Sequence, residues 1–225
     1  MSAFFSEPNL KRILNNITQH SPHPSKVKIV AVTKGFSSEA IFSALSHKIN
    51  CIGENKVQEF LNKKREIKNH KIETHLIGHL QSNKIKKAVQ LFNIIETIDS
   101  VGLAEKINKH MESINSTQRI YIQINIGEDP KKFGFALKNI FQKIEKIEKM
   151  KHLKIEGTMT ILPNTKQTEA TERYFAHMRT LSQNIKEKVS PTCSNISMGM
   201  SQDYVYALKQ GATHLRIGTL LYGNR

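Results

Sequence analysis

Val27-Lys28-Ile29-Val30-Ala31-Val32-Thr33-Lys34-Gly35 is the stretch from which the fold of this chain can be read. Val27, Ile29, Val30, Ala31 and Val32 make a nearly continuous run of β-branched and small apolar side chains, the pattern of a parallel strand covered on both faces. The run ends by delivering Lys34 into a glycine turn. An ammonium is costly to desolvate, and burial lowers its pKa toward the neutral amine that attacks a carbonyl and forms a Schiff base. The same lysine could instead leave the strand and carry its charge to water. The strand by itself leaves both readings open.

Strands and helices alternate outward from this segment. Upstream, Leu10, Ile13, Leu14 and Ile17 recur at helical spacing and predict an amphipathic helix over 8–19. Downstream, Ser38 can cap a helix carrying Ile41, Phe42, Ala44 and Leu45. The pattern then predicts strands over 50–53, 73–78, 93–97, 119–125, 153–159, 195–197 and 213–217. Helical segments separate them, including a lysine-rich one over 138–151, a long one over 168–188 and a short one from Ser201 to Lys209. Loops are expected at 127–134 and at Pro163-Asn164. Eight strands alternating with helices predict one α/β domain over 1–225, a (β/α)8 barrel with an extra N-terminal helix; a doubly wound open sheet would alternate in the same way.

Composition narrows the function classes. The chain has 225 residues, 38% of them hydrophobic and 7% aromatic, which suits a globular protein with a sizeable core. No apolar run approaches membrane-spanning length, and Met1-Ser2-Ala3-Phe4-Phe5-Ser6-Glu7 lacks the basic and long apolar regions of a secretory signal, so a cytoplasmic protein is expected. Cys51 and Cys193 are far apart and outside any Cys-x-x-Cys pair, so they are expected as reduced, buried thiols, neither a disulfide nor a zinc site. The formal net charge of +15 raises the question of nucleic acid. The lysines, however, are spread over most helical segments with no basic block interleaved with aromatics, which reads as a solvated surface.

In a barrel the site lies at the C-terminal ends of the strands. The residues just past them read Lys34, Asn55, His79, Thr97, Asn125, Thr160, Ser197 with its following loop, and Arg216 with Gly218. The loops after strands seven and eight often build a phosphate site. Here they are Ser197-Met198-Gly199-Met200-Ser201 and Gly218-Thr219, offering glycine for close backbone approach, hydroxyl donors and a helix start near Ser201. Alone, the first loop is an ordinary helix cap; the pair in this placement favours a phosphate. Arg216 either lies beside that phosphate or forms a rim ion pair. His75 and His79 stand four apart but lack an intervening glutamate on a helix, which argues against a metal pair. Neither nucleotide-binding glycine motif is present. A Schiff-base lysine facing a phosphate cradle suggests a phosphorylated aldehyde, with pyridoxal 5′-phosphate the obvious cofactor.

Five segments carry a resemblance: Ala31-Val32-Thr33-Lys34, 53–59 (Gly-Glu-Asn-Lys-Val-Gln-Glu), 75–84 (His-Leu-Ile-Gly-His-Leu-Gln-Ser-Asn-Lys), 197–203 (Ser-Met-Gly-Met-Ser-Gln-Asp) and Leu215-Arg216-Ile217-Gly218-Thr219. In order and in register, they resemble the pyridoxal phosphate homeostasis protein family. The resemblance implies a barrel similar to the N-terminal domain of alanine racemase, with Lys34 holding the cofactor as an internal aldimine. It also implies Ser197, Ser201, Gly218 and Thr219 as phosphate ligands, Arg216 at the pyridine nitrogen and Asn55 beside the ring. Thr158 and Tyr222 depart from the family's usual leucine and phenylalanine, away from those ligands.

A guanidinium stays protonated, so an arginine at the pyridine nitrogen leaves that nitrogen unprotonated and the ring a poor electron sink. Transamination is then disfavoured and racemisation would need a second acid/base. In alanine racemase that group is a tyrosine of a further domain, and this chain ends at Leu221-Tyr222-Gly223-Asn224-Arg225. The expectation is a monomeric, non-catalytic carrier that buffers pyridoxal phosphate or delivers it to apo-enzymes; a weak amino-acid racemase and a basic nucleic-acid-binding protein are the alternatives.

Overall fold

Hydrogen bonding between the first strand, β1 (Lys28–Val32), and the last, β8 (His214–Ile217), decides between a barrel and an open sheet. In a computed structural model, which describes residues 5–68, 70–163 and 168–223, these two strands pair in parallel with Ile29 opposite Leu215 and Val30 opposite Arg216. Between them run β2 (Cys51–Glu54), β3 (Glu73–Leu76), β4 (Ile94–Ile98), β5 (Gln118–Gln123), β6 (Leu153–Met159) and β7 (Asn195–Met200). Each is hydrogen-bonded to the next, and the sheet closes as a barrel in sequence order. The open-sheet alternative is thereby excluded.

The helices are α1 (Glu7–His20), α2 (Glu39–Ser46), α3 (Val57–Lys64), α4 (Ile85–Leu91), α5 (Val101–Ser113), α6 (Ile140–Glu148), α7 (Thr168–Lys188), α8 (Tyr204–Lys209) and α9 (Thr219–Tyr222). In α1, Ser6 caps the first turn by accepting from the Asn9 amide (3.4 Å), and Leu10, Ile13 and Ile17 are buried. Asn9 Nδ2 donates to Leu220 O (2.8 Å) and Asn16 Nδ2 to Tyr204 Oη (2.7 Å), which seats α1 on the last two helices. Among the described residues, no helix is long and apolar enough to cross a membrane.

Alternation along each strand creates two interiors. Outward side chains such as Ile29, Ile52, Leu76, Ile95, Ile120, Ile155 and Leu215 pack under the helices with Ile41, Phe60, Ile107, Ile144, Met178 and Leu208. Each fully buried aliphatic side chain contributes on the order of 1.5–3 kcal/mol, offset by the entropy of ordering the chain. The second interior, inside the barrel, has a small apolar cluster of Ile94, Tyr121 and Met159. The buried polar set that includes His75, Glu96, Ser197, His214 and Arg216 lies close to it, His214 reaching Tyr121 at 3.4 Å. Thr158 and Tyr222 each bring a hydroxyl that finds a partner: Thr158 with Ser182 (2.6 Å) and Tyr222 with Ala40 O (3.0 Å).

The sequence expectations shift at some ends. Helix α8 begins at Tyr204, not at Ser201, because Met200 N–H donates to Asp203 Oδ1 (2.6 Å) and holds 200–203 in a turn. Helix α6 is shorter than the lysine-rich segment, and the short α9 adds a turn of helix beyond the last expected strand. Asn164, in one predicted loop, lies outside the described residues.

Candidate functional site

Strand β1 ends at Val32, and the turn Thr33-Lys34-Gly35 that follows is gripped from both sides. Thr33 Oγ1 donates to Glu54 Oε1 (2.7 Å), the last residue of β2. Lys63 of α3 donates to Thr33 O (2.9 Å), Glu54 (2.8 Å) and Glu59 (2.8 Å), and Glu59 in turn accepts from the Gly35 amide (2.5 Å). Glu54 is fully buried and Lys63 nearly so, so this network fixes the backbone on either side of Lys34 rather than decorating the surface. Burial pushes the Glu54 carboxyl above its usual range, against the pull of Lys63 and Thr33. Burial also opposes ionisation of Glu59, but Lys63 and the Gly35 amide outweigh it and hold that carboxyl low. The Lys34 side chain is half-buried.

Across the mouth, the loops after β7 and β8 are tied together where Ser201 Oγ accepts from the Leu220 amide (3.3 Å). Gly199 sits at φ +89°, a left-handed conformation that glycine adopts without strain. It makes a bulge in which Ser197 and Met200 of β7 face His214 and Arg216, three residues against two. Gly218 precedes the short helix α9. Lys34, Ser201, Asp203, Arg216, Gly218 and Thr219 line one cavity of about 360 Å³, with Val32, Ile77, Ile161 and Met200 as its apolar wall. Burial raises the Asp203 carboxyl, while the Met200 amide and Arg216 pull it back.

Arg216 is 4% exposed and anchored from below. Nη1 donates to Ser197 Oγ (2.7 Å) and Nη2 to Thr160 O (2.6 Å), and Nη1 lies 4.0 Å from Glu96. Ser197 in turn donates to Glu96 Oε2 (2.6 Å), and the other Glu96 oxygen meets His75 Nδ1 (2.5 Å). His75 Nε2 continues to Glu73 (3.3 Å), completing a polar column down the barrel axis. Burial works against the Glu96 charge, but His75, Arg216 and Ser197 hold the carboxyl below its usual range.

Of the seven site residues expected from sequence, five line the cavity: Lys34, Ser201, Arg216, Gly218 and Thr219. Ser197 does not line it; it is fully buried inside the barrel beneath Arg216. Asn55 stands at the rim, where a Cβ on Gly78 would meet its carbonyl oxygen at 2.2 Å, so only glycine lets the loops approach this closely. Other predicted rim residues hold backbone: Thr97 donates to Gly78 O, Asn125 to Asp129 O and Thr160 to Ile124 O, each at 2.8 Å. His79 pairs with Asp99 (3.1 Å) and stacks on Phe133, away from the buried His75. Sequence reasoning missed Glu54, Glu59, Lys63 and Glu96. The available signals were the i, i+4 pair Glu59/Lys63 and one acid inside the apolar run Ile94-Ile95-Glu96-Thr97-Ile98.

The two buried histidines below Arg216, with ring centroids 5.7 Å apart, carry opposite shifts. Burial, and then the charge of His75, push His214 down to about 4. Burial also acts against a charged His75, but Cys51, Glu73 and Glu96 outweigh it and hold this group well above the usual imidazole range. His214 therefore favours folding fully only above the ordinary imidazole value of 6.5, losing that contribution as pH falls toward 4. His75 contributes fully below that value and loses its contribution as pH rises through its raised one. Urea unfolding across pH is expected to show an optimum near the ordinary imidazole value, with about 2 kcal/mol lost over the two pH units below it. His214→Gln should flatten that acid limb and leave the alkaline limb in place; an unchanged acid limb would refute the assignment.

A parallel eight-stranded barrel with a lysine after its first strand, and with Ser201, Gly218 and Thr219 after its last two, is the architecture of the alanine racemase N-terminal class. The chain matches the family described as alanine racemase, N-terminal domain, over residues 8–225. A pyridoxal phosphate homeostasis protein of Aquifex aeolicus is 32% identical over 220 residues, covering 96% of each chain. One from Synechocystis is 35% identical over 203 residues, covering 90% of this chain and 93% of that one. The structure of PipY from Synechococcus elongatus, solved with PLP bound, superposes with a TM-score of 0.84 at 29% identity, covering 96% of this chain and 100% of that chain. The chain belongs to the pyridoxal phosphate homeostasis protein family.

Proposed function

We propose that this chain binds pyridoxal 5′-phosphate through Lys34 and buffers or delivers it to apo-enzymes in the cytoplasm, as part of vitamin B6 homeostasis, without robust turnover of its own. The observation that carries the reading is the single cavity that places an amine, Lys34, together with Arg216, Ser201, Gly218 and Thr219. The residues fit the cofactor on a further count. Asn55 Oδ1 is a buried oxygen with no hydrogen-bond partner among the described residues, as expected where a ligand is to supply the donor.

In this reading Ser201, Gly218 and Thr219 take the phosphate, Asn55 lies beside the ring, and Arg216 faces the ring nitrogen. Ser197 sets Arg216 in place and does not touch the phosphate. When bound, the cofactor supplies an aldehyde carbon that condenses reversibly with an amine as water leaves. Lys34 supplies that amine from a backbone held on both sides. Burial pulls the Arg216 guanidinium down, Glu96 and Asp203 push it back, and a guanidinium remains protonated throughout the physiological range. With the cofactor bound it would donate to the ring nitrogen and keep a proton off it, which supports storage over chemistry that withdraws electrons into the ring.

Alanine incubated in D₂O with the loaded protein tests the absence of turnover. The carrier reading expects α-carbon deuteration no faster than with free pyridoxal phosphate. Exchange at rates typical of enzymes would replace it with the racemase reading.

A further inference from the structure

At the N-terminal mouth of the barrel, the end opposite the cavity, three chemically different donors converge. Cys51 opens β2, Glu73 opens β3 directly across from it, and His75 follows two residues later on the same face. Cys51 Sγ lies 4.0 Å and His75 Nε2 3.3 Å from Glu73 Oε1, and one ligand atom from each residue lies within 4.8 Å of the other two. We propose that Cys51, Glu73 and His75 form a binding site for a zinc-class transition-metal ion.

Donor spacing supports this. A tetrahedral ion about 2.3 Å from sulfur and about 2.0–2.2 Å from nitrogen and oxygen needs its donors roughly 3.3–3.7 Å apart. The imidazole–carboxylate pair already has that separation, and the thiol has to approach by no more than about 1 Å. A thiolate, an imidazole and a carboxylate together select zinc or cobalt over calcium or magnesium.

The second support is Glu96. Its Oε1 holds His75 Nδ1 at 2.5 Å, and its Oε2 is fixed by Ser197 at 2.6 Å. Metal-ligating histidines are held in this way, with the far ring nitrogen donating to a carboxylate so that the near one is aimed at the ion. Coordination needs the thiolate and a bare Nε2, so the thiol proton and any proton on Nε2 leave to water. Two released protons balance a divalent charge and leave the buried charge unchanged.

Two cations already contact Glu73: Lys28 at 3.0 Å and Arg119 at 3.2 Å. Lys28 is 53% exposed and can withdraw into solvent, while Arg119 sits on the other oxygen, Oε2. If those ion pairs are the whole purpose of the cluster, no metal binds. Cys193 is the internal control, a buried thiol outside the cluster that burial pushes up to about 12.

The test is a cobalt(II) titration of the full chain after chelator treatment, under a thiol-free reductant. One equivalent should produce thiolate-to-cobalt charge-transfer absorption that zinc abolishes. The band should vanish in Cys51→Ser, shown folded by near-ultraviolet circular dichroism, and persist in Cys193→Ser. Glu73→Gln, at the solvent-facing mouth, should weaken binding roughly tenfold or more. A missing band in the unmodified chain, a band retained in Cys51→Ser, or undiminished affinity in Glu73→Gln would each overturn the site.

Discussion

The Lys34→Ala protein mixed with pyridoxal 5′-phosphate is expected to show the spectrum of the free cofactor, and borohydride should leave nothing covalently attached at position 34. The unmodified chain should show a shifted absorption band that borohydride fixes onto that residue. The loss is expected to be complete because, among the described residues lining the cavity, Lys34 is the amine. In the proposed reading Ser201, Gly218 and Thr219 would still take the phosphate and Arg216 the ring nitrogen, so weak, reversible affinity should survive. Lys34→Arg separates charge from nucleophilicity: it keeps the cation and should be as silent as alanine. A retained band in either variant would mean that the cofactor is anchored elsewhere and would end the proposed reading.

Replacing Lys63 by methionine should be among the most destabilising single changes in the molecule. It removes the cation from between Glu54, which is fully buried, and Glu59, and it frees the Thr33 carbonyl. Breaking a buried ion pair from one side typically costs about 3–5 kcal/mol, because the remaining charge is left without compensation. For a chain of this size that corresponds to a fall in melting temperature of roughly 10 °C or more. The double variant Glu54→Gln/Lys63→Met removes the stranded charge as well, so it should melt above Lys63→Met alone, a non-additivity that reports direct coupling. Additive losses would show that the two residues act independently. If the network serves to hold the Lys34 turn, the double variant should also bind pyridoxal phosphate more weakly even where it is folded.

Much of this architecture can be read from apolar runs and their endings. Strand β1 and the lysine beyond it are plain because four consecutive apolar residues, Ile29 to Val32, followed by a polar turn fit little else. The closure of the sheet is not readable in the same way, since alternation is identical in open and closed sheets and only the β1–β8 ladder tells them apart. Ser197 shows how the end of a strand decides where a side chain is placed. Gly199 and its neighbours look like loop, yet β7 runs through them to Met200 by way of a bulge, which draws Ser197 from the rim into the barrel. The Lys34 clamp stayed hidden for another reason. Glu54, Glu59 and Lys63 look like ordinary surface charges until the fold buries Glu54 and Lys63 and brings Glu59 against them.

The column from Glu73 through His75, Glu96 and Ser197 to Arg216 means that the barrel does not insulate its two ends from one another. In a low-dielectric interior, adding or removing one charge at the bottom changes the field felt at the top with little screening. A chromophore seated against Arg216 would then act as a voltmeter for the opposite mouth, its colour registering events at a face it never touches.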